Sequence, residues 1–243
     1  MVEASLRKSQ LAVVMPAYNE EGAIRAAVEE VQRHILDRVD ESYLVVVNDG
    51  SQDDTGLILD EIAEADPRVR PVHRANGGHG PALISGIEAG ESEWLFLLDS
   101  DRQIPLDDFS DTWALGQGGA DAVFGVRRSR DDPFVRLTLT RLIRLTLAQL
   151  FGVRVEDANV PYKLFRRALW AEASGLISPD TLAPSLFLTL FAERRGYGIA
   201  YHDVQHRSRT TGQVSIKRWS LFRFCVRAFG QLLTFRRELR RVR

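Results

Sequence analysis

Two carboxylates one residue apart close an apolar run: Trp94-Leu95-Phe96-Leu97-Leu98 is followed by Asp99-Ser100-Asp101. Five apolar residues in succession suit a strand buried on both faces, as in a parallel sheet. In such a sheet the carboxyl ends of the strands form the ligand crevice. Asp99 and Asp101 at that edge, with Gln103 just beyond, make a hard, oxygen-rich set suited to Mg²⁺ or Mn²⁺ carrying a phosphate. A D-x-D match alone is frequent by chance, and such acids also cap helices. Its weight comes from its position at a strand end.

Polar motifs close the earlier apolar runs as well. After Leu11 to Met15 comes Pro16-Ala17-Tyr18-Asn19-Glu20-Glu21-Gly22. A dinucleotide-binding unit would carry G-x-G-x-x-G there, so its absence counts against NAD or FAD bound in the usual way. After Tyr43 to Val47 comes Asn48-Asp49-Gly50-Ser51-Gln52-Asp53-Asp54-Thr55. Asp53 or Asp54 suits the N-cap of a following helix, whereas Asp49, at the strand end itself, can accept from a base N–H or a ribose hydroxyl. The third run leads to Asn76-Gly77-Gly78-His79-Gly80. Its glycines let backbone approach a ligand closely, and the next helix N-terminus attracts anions. A flexible turn is the plain alternative, and His79 suits a structural hydrogen bond as well as a ligand contact.

These motifs need elements to hold them. Leu11 to Met15, Tyr43 to Val47, Val69 to Val72, Trp94 to Leu98 and Ala122 to Phe124 read as strands. Glu20 to Leu36, Asp54 to Ala65 and Pro81 to Ala89 show helical spacing between them. Strand–helix–strand repetition implies right-handed crossovers and a mostly parallel α/β sheet. Further on, Phe134 to Phe151 and Thr181 to Arg194 read as helices, Tyr197 to Val204 as a strand, and Gln205 to Val214 as a polar loop. From Arg218 a helix sets Arg223, Arg227, Thr234, Arg237 and Arg241 against Trp219, Phe222, Phe229, Leu232 and Leu233. The expected organisation is one domain over 1–215 and a basic amphipathic helix over 216–243.

The chain has 243 residues, 44% apolar and 27% charged, an ordinary globular composition able to bury a sizeable core. Its single cysteine, Cys225, excludes an internal disulfide and fits a reducing compartment. No run of about 18 apolar residues is present to span a bilayer, and the first apolar run is too short for a signal-peptide core. The net charge of −1 hides an asymmetry: 206–243 carries eleven Lys and Arg against Glu238 alone. An acidic body with a basic tail points the tail towards something anionic.

Taken together, VVMPAYNEEG, VVVNDGSQDDT, NGGHGPALISGIEAG and WLFLLDSDRQ, in this order, resemble the family 2 glycosyltransferases of the GT-A fold, over roughly residues 10 to 215. The resemblance implies a Rossmann-like central sheet flanked by helices and a nucleoside-diphosphate sugar donor. Pro16, Ala17, Tyr18, Glu20 and Asp49 would then surround base and ribose, with Gly78, His79 and Ser100 beside the donor. Asp99 and Asp101 would hold Mg²⁺ or Mn²⁺ on the diphosphate, with Gln103 a further ligand. The continuation is most similar to polyprenyl-phosphate glycosyltransferases, including dolichyl-phosphate mannosyltransferases. It is carried by Gly125-Val126-Arg127-Arg128-Ser129-Arg130-Asp131-Asp132-Pro133, Arg136, the run Asp157 to Arg167, and Arg209-Thr210-Thr211-Gly212 with Ser215 and Lys217. Inversion at the anomeric carbon is implied by the same resemblance.

For transfer, Arg207 or Arg209 could close over the donor phosphates; a solvated loop is the alternative. A lipid-phosphate acceptor is already ionised at neutral pH and needs cations, for which Arg127, Arg130, Arg136 and Lys163 are candidates. A saccharide acceptor needs a carboxylate base, and Asp157 is the candidate, although it could instead orient Arg or Lys side chains. Asp101, Asp157, Arg127 and Arg136 thus form the candidate catalytic set. The basic helix is expected to lie in a membrane interface, to dock on the core, or to meet a membrane partner. Nucleic acid is not an expected partner, because the tail's aromatics fall on its apolar face instead of forming a stacking platform. A peripheral enzyme on the cytoplasmic face of a membrane is the expected setting; a non-catalytic nucleotide-sugar-binding scaffold is the competing class.

Overall fold

The computed structural model describes residues 10–127, 144–153, 155–157, 160–205 and 218–241, with backbone alone for 218–225. Among the described residues seven strands form one sheet: β1 (Leu11–Ala17), β2 (Ser42–Asn48), β3 (Val69–His73), β4 (Trp94–Leu98), β5 (Ala122–Val126), β6 (Tyr162–Arg166) and β7 (Ile199–Asp203). Their order is β3-β2-β1-β4-β6-β5-β7. The pairs β1–β2, β1–β4, β2–β3 and β5–β7 are parallel, and only β6 runs antiparallel to its neighbours β4 and β5. The expected mostly parallel sheet is present.

Helices cover both faces. They are α1 (Ile24–Val31), which continues as a π-helical turn over Gln32–Leu36, α2 (Thr55–Ala65), α3 (His79–Ala89) and α4 (Phe109–Gln117). A helical stretch over 144–151 follows as α5, then α6 (Arg167–Ser174), α7 (Pro184–Arg195) and α8 (Arg218–Arg241). Because strand side chains alternate, β1, β2 and β4 feed two cores. Ala12, Val14, Val45, Val47, Leu95 and Leu97 pack with residues of α3 and α7. Leu11, Val13, Met15, Leu44, Val46 and Phe96 pack with residues of α1 and α2 and with Phe109. That two-sided burial is why these strands read as unbroken apolar runs.

Four elements depart from the sequence reading. The run Asp157 to Arg167 contains strand β6, whose apolar pattern is broken by a buried Lys163. Helices α4 and α6 are short, nine and eight residues, and so offer few turns over which a 3.6-residue period could stand out. In α8 the inner face is Leu232, Phe235 and Leu239, whereas Phe229, expected on that face, is 48% exposed. Phe235 meets the rings of Phe187 at 4.8 Å and Phe151 at 6.0 Å, so this end of α8 is part of the core. The side chains of Trp219, Phe222 and Arg223 lie outside the described residues.

Gly86 sets how closely α3 approaches the sheet. A Cβ there would fall 2.4 Å from a Val14 methyl and 2.9 Å from one of Val47. Gly86→Val is expected to cost about 2–3 kcal/mol by overpacking. Gly230→Ala, in the open on α8, is expected to gain up to about 1 kcal/mol of helix propensity. Urea unfolding midpoints compare the two; a tolerated valine at 86 would refute the close approach.

Candidate functional site

Strands β1, β2 and β4 are parallel neighbours, so their carboxyl ends share one edge of the sheet. The chain leaves β1 for β2 on one side and later returns to β4 on the other. This reversal leaves a gap above β1, the position where open α/β sheets bind ligands. A crevice of about 440 Å³ opens there. It is lined by Pro16, Ala17, Tyr18, Glu20, Asp49, Asn76, Gly78, His79, Ala82, Asp99, Ser100 and Asp101. Four separate sequence motifs therefore converge on one site.

Hydrogen bonds lace the loops that follow β1 and β2. Asn19, at φ 53°, donates its N–H to Ser51 Oγ at 3.0 Å and accepts the Gln52 N–H on Oδ1 at 2.8 Å. The Glu20 N–H donates to Thr55 Oγ1 at 2.8 Å, and Glu21 Oε2 accepts the Asp54 N–H at 3.1 Å. Asp53 accepts the Thr55 N–H and hydroxyl on Oδ1 and the Glu21 N–H on Oδ2. These contacts hold its carboxyl below the usual range against the opposing effect of burial. Asp54 occupies the N-cap of α2 by position but makes no side-chain cap bond. The acids of this motif therefore serve the loops, with Asp49 the exception that reaches the crevice.

Asp49 is 3% exposed. Its two oxygens accept the Gly77 N–H at 3.0 Å and the Gly78 N–H at 2.7 Å, and Arg74 pairs with it at 3.3 Å. A buried carboxylate needs such partners. The result fixes the glycine loop: Gly78 takes φ 89°, and a Cβ on Gly50 (φ 71°) would fall 2.6 Å from the Asn76 nitrogen. Asp49 thus shapes the crevice floor and lines it as well. Neither Arg74 nor Asn76 was among the candidates read from the sequence. Asn76 had a signal in its glycine-rich neighbours, whereas Arg74 had none.

Asp99 and Asp101 stand partly exposed at the end of β4, with buried Ser100 between them. His79 Nε2, at the N-terminus of α3, lies 3.9 Å from Asp99 Oδ1. Asp101 Oδ1 accepts the Gln103 N–H at 3.1 Å, while the Gln103 side chain is not in the crevice lining. Between them, Arg102 takes φ 54°, a conformation that costs a side-chain-bearing residue about 1–2 kcal/mol. Its Nε donates to Glu30 of α1 at 2.6 Å, an ion pair that holds the turn in place from 72 residues away. Among the described residues no group of three or more His, Cys, Asp and Glu could enclose a metal ion. Two hard carboxylates nonetheless fit Mg²⁺ or Mn²⁺, which keep waters and take substrate phosphate oxygens beside one or two acids.

Beyond β5, Arg127 and Asp157 form a two-point pair, Nε to Oδ2 at 3.0 Å and Nη2 to Oδ1 at 3.2 Å, with both side chains largely buried. Lys163 lies fully buried behind them, its Nζ 4.6 Å over the Phe124 ring and without a hydrogen-bond partner among the described residues. Its amine does not reach the crevice. Arg130, Arg136, Arg207 and Arg209 lie outside the described residues, as do Arg128, Ser215 and Lys217.

The model of the family described as Glycosyl transferase family 2 matches residues 12–175. An undecaprenyl-phosphate 4-deoxy-4-formamido-L-arabinose transferase of Aeromonas hydrophila is 30% identical over 160 residues, spanning 65% of this chain and 49% of that protein. The protein of the same description from Shewanella sediminis is 27% identical over 207 residues, 84% of this chain and 60% of its own. The chain spans about half the length of the curated relatives it matches. In fold it is similar to glucosyl-3-phosphoglycerate synthase of Mycobacterium tuberculosis solved with UDP. That TM-score is 0.66 at 23% identity, covering 94% of this chain and 80% of that one. A mannosyltransferase of Pyrobaculum calidifontis solved with GDP-Man and Mn²⁺ gives 0.62 at 18%, covering 97% and 69%.

Burial pushes the Lys163 amine from its usual 10.5 down to about 8, with Arg127 adding to the effect and Asp157 opposing it. Below pH 8 the cost of burying the charge is present in full. Between about pH 8 and 10 the folded state has shed a proton that the unfolded chain keeps, so stability rises with pH across that window. Lys163→Met is expected to stabilise the fold by about 3 kcal/mol at pH 7 and to flatten that rise. Denaturant midpoints from pH 7 to 10 read both effects; a methionine variant weaker than the parent at pH 7 would contradict them.

Proposed function

Because the chain belongs to glycosyl transferase family 2, we propose that its crevice binds a nucleoside-diphosphate sugar and that the sugar passes to a polyprenyl phosphate. The observation that carries the donor half is the convergence of Tyr18, Asp49, Gly78, Asp99 and Asp101 on the gap above β1. Tyr18, 45% exposed at the rim, offers an aromatic face to the base. Asp49 and the carbonyls of the β1 loop offer acceptors to base and ribose. The first turn of α3 directs unpaired amides towards the diphosphate. Asp99 and Asp101 would hold Mg²⁺ or Mn²⁺, which when bound neutralises the leaving diphosphate.

Arg127 and Asp157 support the acceptor half. A carboxylate committed at both oxygens to one guanidinium is a holder of that guanidinium, and a poor choice of base for a sugar hydroxyl. A phosphate monoester needs no base. Its ionised oxygen attacks the anomeric carbon as the bond to the diphosphate breaks, and attack opposite the leaving group inverts the configuration. Arg127, held rigid by Asp157, supplies a cation on the acceptor side. The undecaprenyl-phosphate transferases among the relatives favour the same acceptor class.

A lipid acceptor requires access to a membrane surface, and no described helix is long and apolar enough to cross one. The reading is peripheral attachment, on the cytoplasmic face, through α8. Its Phe235 and Leu239 are taken by the core, but Val226 and Phe229 are 57% and 48% exposed, close to exposed Arg227 and Arg237. Apolar side chains among cations suit an anionic lipid interface.

Incubation with radiolabelled nucleotide sugars, Mn²⁺ and polyprenyl phosphate is expected to yield a lipid-soluble product, lowered about a hundredfold or more in Asp101→Ala. Absence of such a product with every donor would sink the acceptor half, and absence of metal-dependent donor hydrolysis would favour a non-catalytic scaffold. Val226→Ser with Phe229→Ser is expected to weaken sedimentation with anionic liposomes by about tenfold or more. Unchanged sedimentation would contradict attachment through α8.

A further inference from the structure

Helix α8 reaches the donor crevice through a single intermediate segment. Gln231, on its inner face, donates from Nε2 to the Asp180 carbonyl at 3.0 Å. Its Oε1 accepts the Leu182 N–H at 3.0 Å and the Thr181 hydroxyl at 3.4 Å. One turn earlier, Arg227 Nη2 donates to the same Asp180 carbonyl at 3.2 Å. One amide side chain therefore holds three consecutive residues. The segment so held lies directly on α3: a Cβ at Gly80 would fall 1.8 Å from the Thr181 carbonyl oxygen. No residue but glycine allows the two backbones to touch there.

Gly80 is the second residue of α3, following Gly78 and His79, which line the crevice. The first turn of a helix has unpaired amides and little internal support, and this one is built around glycines, the residues with most backbone freedom. Asp49 fixes Gly77 and Gly78 from the crevice side. The opposite side of the turn is backed by 180–182. We infer that Gln231 is a positioning residue for the donor crevice, clamping 180–182 onto Gly80 so that the first turn of α3 is held beside Asp99. The inference rests on the reading of that crevice as a nucleotide-sugar site. It makes α8 a support of the donor site as well as a surface element, so that seating the helix and filling the crevice favour one another.

Calorimetric titration with UDP and GDP, each with Mn²⁺, tests this on the full chain. Gln231→Leu is expected to lower nucleotide affinity about tenfold. Gln231→Glu, which keeps acceptor oxygens for the Leu182 N–H and the Thr181 hydroxyl, should lose less. Thr234→Ala, on the outer face of the same helix, should lose nothing. In the unaltered protein, adding the nucleotide that binds should slow hydrogen exchange at the Leu182 amide, which lies outside the crevice lining. A folded Gln231→Leu protein with unaltered affinity would overturn the inference. So would an unchanged Leu182 exchange rate in the unaltered protein, which decides the matter even if the leucine variant does not fold. An unaltered protein that binds neither nucleotide would instead remove the donor reading, and this inference with it.

Discussion

Everything in this fold depends on β1 lying between two parallel partners. Its register with β2 sets Ala17 beside Asn48, and the Asp49 N–H donates to the Ala17 carbonyl at 2.9 Å. Its register with β4 sets Val14 beside Leu97, so the chain emerges at Asp99 along the same edge. Shifting either pairing by one residue would exchange the two cores and turn every one of these side chains to the wrong face. The buried aliphatic faces of three strands thus fix the position of carboxylates that themselves contribute nothing to the core.

Two of the acids, and the turn that follows a third, are held by contacts from elsewhere in the chain. Asp49 is held by amides of the glycine loop, the turn after Asp101 by Arg102 on Glu30, and Asp157 by Arg127. Such support keeps a charged group in one orientation before a ligand arrives, which spares the ligand the cost of ordering it. The left-handed backbone at Arg102 and the buried Lys163 amine are local costs. They persist because the surrounding sheet is stable enough to bear them.

Much of this was legible in the sequence because buried parallel strands announce themselves as apolar runs, and the motifs at their ends needed only a shared edge to be brought together. Strand β6 was not legible, since Lys163 interrupts its pattern, and its burial over Phe124 is visible only in three dimensions. The pairs Glu30–Arg102 and Gln231–Asp180 join residues far apart in the chain through single side chains. No local spacing encodes such contacts. The basic stripe of α8 was read correctly as amphipathic, but its inner face turned towards Phe235 and away from Phe229, because the rings of Phe151 and Phe187 offered a partner that the helix alone does not reveal.

Strand β6 runs opposite to β4 and β5, and that reversal has a further meaning. Chain leaving β1, β2 and β4 builds the crevice, whereas Asp157 arrives at the same rim on its way into a strand. Beside the crevice, the Arg127–Asp157 pair joins chain leaving β5 to chain entering β6. The alignment of β1, β2 and β4 rests on their own parallel pairings and not on the chain that joins β5 to β6. One scaffold can in this way hold its crevice fixed whatever chain arrives opposite it.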